Sequence, residues 1–172
     1  MGTGGSILSG QCRILHLSHW NLVRQLRLEA LRESPEVFLG DYDQEVALSD
    51  EYWQATFDGA SWHAFLIDGL AMTRDKIAGI AKSTVLRQFP DERYVESFWV
   101  RPRYRHQQVG RRMMHNIIRE ARRDKRRVIR LSVLRTNQEG IKAFHSLGLS
   151  AEVPDRSSAH EICLELPLAR RR

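Results

Sequence analysis

Between Val100 and Met114 the chain reads VRPRYRHQQVGRRMM, which sets Arg101, Arg103, Arg105, Arg111 and Arg112 around Gly110. Such a segment can bind an anion. A strand ends at Val100, a Pro-containing loop follows, and an amphipathic helix begins at about Gly110. The first N–H groups of a helix lack intrahelical partners, and the helix dipole places partial positive charge at that end. Together they form a seat for a pyrophosphate. A basic, solvated loop with no ligand is the competing reading of the same residues. Metal chemistry finds less support. Cys12 and Cys163 lie 151 positions apart with no C-x-x-C partner, and His16, His19, His63 and His160 are scattered without ligand spacing. Two buried, reduced thiols and no metal are expected.

The elements that must position this loop follow from periodicity. Residues 12–17 alternate as a first strand. Leu22, Val23, Leu26, Leu28 and Leu31 recur at helical spacings after Ser18, a residue suited to an N-cap, and Ser34-Pro35 ends that helix. A second helix spans residues 48–57 behind Ser49 or Asp50, and the acidic stretch EVFLGDYDQEV between the helices reads as irregular. Residues 62–67 and 77–86 are strands joined by a turn with Gly69 and Asp75. Residues 94–100, YVESFWV, form another strand. Strict alternation assigns Tyr94, Glu96, Phe98 and Val100 to one face and Val95, Ser97 and Trp99 to the other.

In the helix from Gly110, the apolar stripe of Met113, Met114, Ile117, Ile118 and Ala121 is opposed by Arg112, Arg119, Arg122 and Arg123. A strand over 128–134, a helix over 138–147 ended by Gly148, and a hairpin of 149–153 with 160–167 complete the chain. The class is α/β: one domain over 12–168 with a mixed sheet, a flexible N-terminus over 1–11 and a basic tail over 169–172.

Composition agrees with a single globular domain: 42% of the 172 residues are hydrophobic and 28% charged. No apolar run approaches the roughly 18 residues of a membrane span, so no membrane partner is expected. The opening MGTGGSILSG lacks the basic and apolar regions of a signal peptide, which points to the cytoplasm. Gly2 and Ser6 fit the loose myristoylation pattern, although a flexible start is the plainer reading. The net charge of +6 is unevenly spread. Residues 1–100 carry 9 Lys/Arg against 14 Asp/Glu, a net −5, whereas residues 101–172 carry 18 against 7, a net +11. The second half therefore faces an anion, and nucleic acid, anionic lipid and a phosphorylated cofactor all fit.

The segment V-R-P-R-Y-R-H-Q-Q-V-G-R-R-M-M resembles the acyl-CoA-binding signature of the GNAT superfamily of N-acetyltransferases, R/Q-x-x-G-x-G/A after V-x-P. Downstream, NQEGIKAFHSLGL over 137–149 is similar to the family's N-x-x-A-x-x-x-Y-x-x-x-G-F stretch. The segment LRLEALRESPEVFL also resembles the first helix and following loop of many members. The resemblance runs from about Cys12 to Leu166. It implies a GNAT fold, with a central twisted sheet flanked by helices and splayed between the fourth and fifth strands. It further implies acetyl-CoA as cosubstrate and transfer of acetyl to an amine by direct attack in a ternary complex.

Carried over residue by residue, the resemblance places Arg105, His106, Gln107, Gln108, Val109, Gly110, Arg111 and Arg112 around the CoA pyrophosphate. Phe98, Trp99 and Val100 line the pantetheine arm, a backbone N–H near Val100 polarises the thioester, and Asn137 and Phe144 contact the cofactor. Glu96 is the implied general base, sharing the Phe98 and Val100 face, with Tyr94 beside it. The acidic, aromatic residues Tyr42, Glu45 and Trp53, with Asp41 and Asp43, lie where members bind the acceptor. An ordinary solvated loop is the alternative there.

Two positions depart from the family. Gln108 and His106 stand where glycines let the backbone approach phosphate; if their φ stays negative they still present N–H groups, to weaker or reshaped CoA binding. Phe144 stands where many members carry the Tyr that protonates the leaving thiolate, and Phe has no donor.

The acceptor is expected to be a small molecule. Acetylation of protein Lys or N-termini is an alternative, as is a CoA-binding regulatory module that has lost turnover. Nucleic-acid binding rests on the +11 half alone, lacks interleaved aromatics, and is not expected. Pairing through sheet edges into a homodimer is left open.

Overall fold

The computed structural model describes residues 7–68 and 71–168. Gly2, Ser6, Gly69 and the 169–172 tail lie outside the described residues. Strand β1 is Gly10–Leu15, so it begins inside the segment expected to be a free N-terminus. Helix α1 spans Trp20–Glu33 and buries Val23, Leu26, Ala30 and Leu31, one stripe at helical spacing. Ser18 does not cap it. A 3-10 turn precedes it, and the His16 backbone N–H donates instead to Nδ1 of His19 at 3.2 Å.

The acidic stretch read as irregular contains a short helix, α2, Tyr42–Val46, because the Asp41 carboxylate accepts from the Gln44 N–H at 3.0 Å. Helix α3, Asp50–Ala55, is capped by Ser49. There follow β2 (Ala60–Ile67), β3 (Ile77–Thr84), β4 (Glu92–Val100), α4 (Val109–Arg123), β5 (Val128–Leu134), α5 (Gln138–Ser146), β6 (Ala151–Glu152) and β7 (Glu161–Pro167). Helix α5 ends as expected at Gly148, whose φ is 94°, with the Leu149 N–H bonded to the Phe144 carbonyl.

The seven strands form one twisted sheet in the order β1-β2-β3-β4-β5-β7-β6. Strands β4 and β5 are parallel and their neighbours antiparallel. Helix α4 covers one face with Val109, Met113, Met114 and Ile117, against Val95, Ile129 and Leu131. Helix α1 covers the other with Val23 and Leu26, against Trp62, Ile80 and Trp99. No described helix is long and apolar enough to cross a membrane.

Val95 and Trp99 thus lie on opposite faces, which strict alternation forbids. The cause is one extra residue in β4. Lys82 faces Glu96 and Ile80 faces Trp99, so two residues of β4 oppose one of β3, and Ser97 takes the left-handed φ of 53°. Beyond this bulge the side chains exchange faces. Glu96 therefore does not share a face with Phe98 and Val100, which pack toward α4.

Beneath the C-terminal half of α4 lies a buried polar network. Arg93 donates to Ser83 Oγ at 3.0 Å and to Asp124, and Ser83 Oγ lies 2.8 Å from His63 Nε2. Because Ser83 accepts from Arg93, its hydroxyl proton is free to donate to Nε2, leaving the His63 proton on Nδ1. Nδ1 has no hydrogen-bond partner and sits 3.8 Å from Glu120, whose carboxylate accepts from Asn116. Burial, reinforced by the Arg93 charge, pushes the His63 pKa down to about 4. The unfolded value lies higher, near 6.5, so protonation favours unfolding throughout the window between them. Stability is expected to fall by about 2 kcal/mol from pH 7 to pH 5 through this residue. Denaturant titrations at the two pH values check this, and His63→Gln should remove most of that difference.

Candidate active site

The parallel pairing of β4 with β5 is short. It runs from Glu92 opposite Val128 to Val95 opposite Leu131, while β4 continues to Val100 and β5 to Leu134. Past Val95 the two strands separate, and their facing N–H and C=O groups have no sheet partner on that side. The gap is a cleft of about 320 Å³. Tyr94, Glu96 and Phe98 line it from β4, Ser132 and Leu134 from β5, Asn137 from just before α5 and Phe144 from α5. Arg27 and the segment Val37–Gly40 close one side, and Glu161 of β7 lines it as well.

The turn before α4 lies at the end of β4. His106 has φ 61° and Gln108 φ 65°, so both take the left-handed conformation natural to glycine, and φ does not stay negative as anticipated. Left-handed residues in a turn of this kind can aim neighbouring N–H groups to one side, as anion-binding nests do. The N-terminus of α4, fifteen residues long, adds its unpaired N–H groups to the same end.

The arginines divide sharply. Arg105 donates to the Val100 carbonyl at 3.0 Å, to Glu33 and to Ser34. Arg112 stacks on Phe65 with its guanidinium 4.6 Å from the ring centroid and donates to the carbonyls of Leu8 and Gly10. Arg101 is buried in a two-pronged pair with Glu29 at 2.6 and 2.7 Å. These side chains hold the fold together rather than standing ready for phosphate. Arg111 is exposed, with no side-chain partner among the described residues. The Gln107 amide donates to the Arg103 carbonyl at 2.8 Å and braces the turn.

Other expected residues are placed differently. Trp99 points away from the cleft into the α1 core and donates from Nε1 to Glu33 at 3.2 Å, a consequence of the Ser97 bulge. The Val100 side chain packs by Gly79 beside Met113, outside the cleft lining. Glu45 is held by Arg27 through bonds of 2.7 and 2.9 Å, so its carboxylate is not free for an amine. This pair presses on Gly40, where any Cβ would lie 2.2 Å from the Glu45 carboxylate. The Tyr42 hydroxyl accepts from Arg32. Trp53 is 2% exposed and forms core, not an acceptor wall. Cys163 is buried but Cys12 only half so, and both are free thiols.

At the cleft wall, Oε1 of Glu96 is held by Lys82 Nζ of β3 at 2.8 Å. The Tyr94 hydroxyl donates to Ser132 Oγ at 2.8 Å. Burial raises the Tyr94 pKa; the Ser132 bond opposes that, and Glu161, Cys163 and Glu96 reinforce it. Phe144 meets Phe98 edge to face at 5.5 Å. Asn137 caps α5, its Oδ1 accepting from the Gly140 N–H at 2.9 Å, which leaves its amide nitrogen for the cleft. Ser132 and Glu161 belong to no motif, and Arg27 lies in the LRLEALRESPEVFL segment without a role there; the three meet only through the topology. Among the described residues, no three or more His, Cys, Asp or Glu gather as a metal site would require.

These features define an α/β protein whose sheet opens into a cleft, with the N-terminus of a fifteen-residue helix following the end of β4. The model of the Acetyltransferase (GNAT) family matches residues 23–149, and the chain belongs to that family. No curated protein matches the sequence. Among solved structures, the GNAT domain of S. lividans PAT is 18% identical, covering 94% of each chain at a TM-score of 0.74. The PaiA N-acetyltransferase of Thermoplasma acidophilum, solved in complex with coenzyme A, is 12% identical over 94% of this chain and all of its own, with a TM-score of 0.70. YncA, a putative acetyltransferase from Salmonella typhimurium solved with its cofactor acetyl-CoA, is 17% identical over 95% and 96%, at 0.66. At these identities the likeness is one of fold.

A side chain in the left-handed region costs about 1–2 kcal/mol that glycine avoids. Gln108→Gly is therefore expected to leave stability unchanged or raise it by up to about 1 kcal/mol, where glycine elsewhere in a helical turn costs a similar amount. Thermal melts decide this, and a clear loss of stability would contradict the left-handed turn.

Proposed function

We propose that the chain is an N-acetyltransferase that moves acetyl from acetyl-CoA to the amine of a small molecule by direct attack in a ternary complex. The observation that carries this reading is the separation of β4 from β5 past Val95 and Leu131 within a GNAT-family chain. An extended pantetheine arm carries amides that can bond the two open strand edges as an added strand does. The pyrophosphate suits the nest at His106–Gln108 and the start of α4, with Arg111 at its exposed side. The CoA and acetyl-CoA complexes of the two structural neighbours support this cosubstrate.

In this reading a backbone N–H on the open edge of β4 near Phe98–Val100 polarises the thioester carbonyl, a contribution of about 3 kcal/mol in comparable oxyanion holes. The neutral amine attacks the carbonyl carbon, the C–N bond forms, and the C–S bond breaks. Glu96 takes the amine proton, directly or through one water, at the oxygen that Lys82 does not hold. CoA departs as a thiolate. Phe144 has no proton to give it, so the Tyr94 phenol, protonated at neutral pH like any tyrosine and shifted further upward by burial, is the donor.

Glu96→Gln is expected to lower kcat by about two orders of magnitude while leaving acetyl-CoA affinity intact. Thiol release against an amine panel, with calorimetric titration of acetyl-CoA, provides the check. Undiminished turnover moves the base elsewhere. Phe144 favours one other reading, a CoA-binding regulatory module. Saturable acetyl-CoA binding by the unaltered protein, with no thiol released to any amine, would establish it.

A further inference from the structure

Helix α1 grips the segment that follows it through three arginines. Arg24 pairs with Asp50 at 2.9 Å and donates to the Val46 carbonyl at 3.2 Å, and the Arg32 guanidinium lies 4.4 Å from the centroid of the Tyr42 ring. Arg27 is the most buried of them. Its side chain is 12% exposed and that of its two-pronged partner Glu45 19%, so the pair is largely shielded from solvent screening. The Arg27 guanidinium also lies 4.7 Å from the centroid of the Phe38 ring. At Gly40 a Cβ would stand 2.5 Å from Arg27 Nη2 and overlap the Glu45 carboxylate. The ion pair therefore touches the cleft wall at two points, the Phe38 ring and the main chain of Gly40.

Those points matter because few other bonds hold the wall. The Val37 N–H donates to the Ser34 carbonyl at 3.2 Å, but among the described residues the main chain of Phe38, Leu39 and Gly40 makes no hydrogen bond. Leu39 is exposed, and Phe38 packs against the α1 core. A stretch without ladder bonds opens at low cost unless side chains hold it. Glu45 does not itself line the cleft, so any influence it has on a bound molecule passes through Arg27 and the wall.

We propose that Arg27, held by Glu45, is a positioning residue that fixes the Phe38–Gly40 wall where the acceptor amine is received. The proposal rests on the amine-transfer reading above. Two variants break the clamp while leaving the side chains that line the cleft in place: Glu45→Ala removes the partner of Arg27, and Gly40→Ala displaces the pair sterically. Arg24→Gln is the control, since it loosens the grip on Val46 and Asp50 alone.

Kinetics are measured by thiol release with every amine that the unaltered protein acetylates from a panel including 2-phenylethylamine and ethanolamine. In both clamp variants the amine KM is expected to rise about tenfold, with kcat and the acetyl-CoA KM within about twofold. Arg24→Gln should leave all three unchanged. A second measurement needs no turnover. Chymotrypsin must draw Phe38 away from Arg27 to cut the Phe38–Leu39 bond, so nicking of the folded variants there is expected to be about fivefold faster or more. An amine KM that stays put in both variants, or kcat and both KM values moving together, overturns the positioning role, as does nicking at the unaltered rate. If the unaltered protein acetylates no amine, the transfer reading fails by itself, and the nicking rates alone decide whether Arg27 and Glu45 hold the wall.

Discussion

The extra residue at Ser97 is the constraint on which the site depends. Below it, β4 is an ordinary central strand, paired on both sides, with Val95 in the α4 core. Above it, every side chain changes face: Trp99 enters the α1 core and Phe98 turns to meet Phe144. A bulge bends its strand and increases local twist, and β4 parts from β5 at this level. A cleft between two parallel strands in the middle of a sheet would otherwise be closed by ladder hydrogen bonds. The same bulge leaves Glu96 on the α1 side of the sheet while Phe98 faces α4, so the carboxylate and the aromatic wall look into the opening from opposite sides.

Charge obeys a similar economy. The +11 of the second half suggests a broad basic surface, yet several of its arginines face inward. Arg101 pairs with Glu29, Arg105 reaches Glu33 and Ser34, and Arg112 ties the start of β1 to α4. Arg130 lies between Glu92 and Glu165. Each of the first two joins the basic half to an acid of the first half, so the asymmetry along the chain becomes cohesion between α1 and the loop after β4. Partly buried pairs of this kind are harmful to break because the surviving charge has no solvent to fall back on. Of the five arginines around the loop, this leaves Arg103 and Arg111 without an ion pair or a side-chain hydrogen bond among the described residues.

Much of this architecture was legible in the sequence, because apolar periodicity and the two spaced motifs report directly on helices, strands and the loop between them. The mixed sheet, the helix α4 and the Gly148 stop all follow from local rules. What was not legible depends on counting across strands. Alternation put Glu96 with Phe98, and no residue in YVESFWV announces a bulge, since Ser is compatible with both geometries. Likewise Trp53 and Glu45 have the chemistry of an acceptor wall, but whether a side chain faces a cleft or a neighbour is set by tertiary packing. Arg27 claims Glu45, and the core claims Trp53. Glu161 escaped notice for the opposite reason: it is an ordinary residue in an ordinary strand, and only the topology brings it to the cleft.

Backbone strain marks the same region independently. Among the described residues, four that are not glycine have positive φ, and three of them, Ser97, His106 and Gln108, adjoin the cleft or its mouth. The fourth, Lys125, follows the C-terminus of α4, where a left-handed residue is a common way to end a helix. Each left-handed side chain costs of order 1–3 kcal/mol and persists only where its surroundings over-determine it. At Ser97 the ladder to β3 does so, and at His106–Gln108 the Gln107 bond to the Arg103 carbonyl and the onset of α4 do so. Glycine would adopt both conformations without strain, and this chain adopts them with bulkier residues, so the substitutions at these two positions leave a left-handed backbone in place.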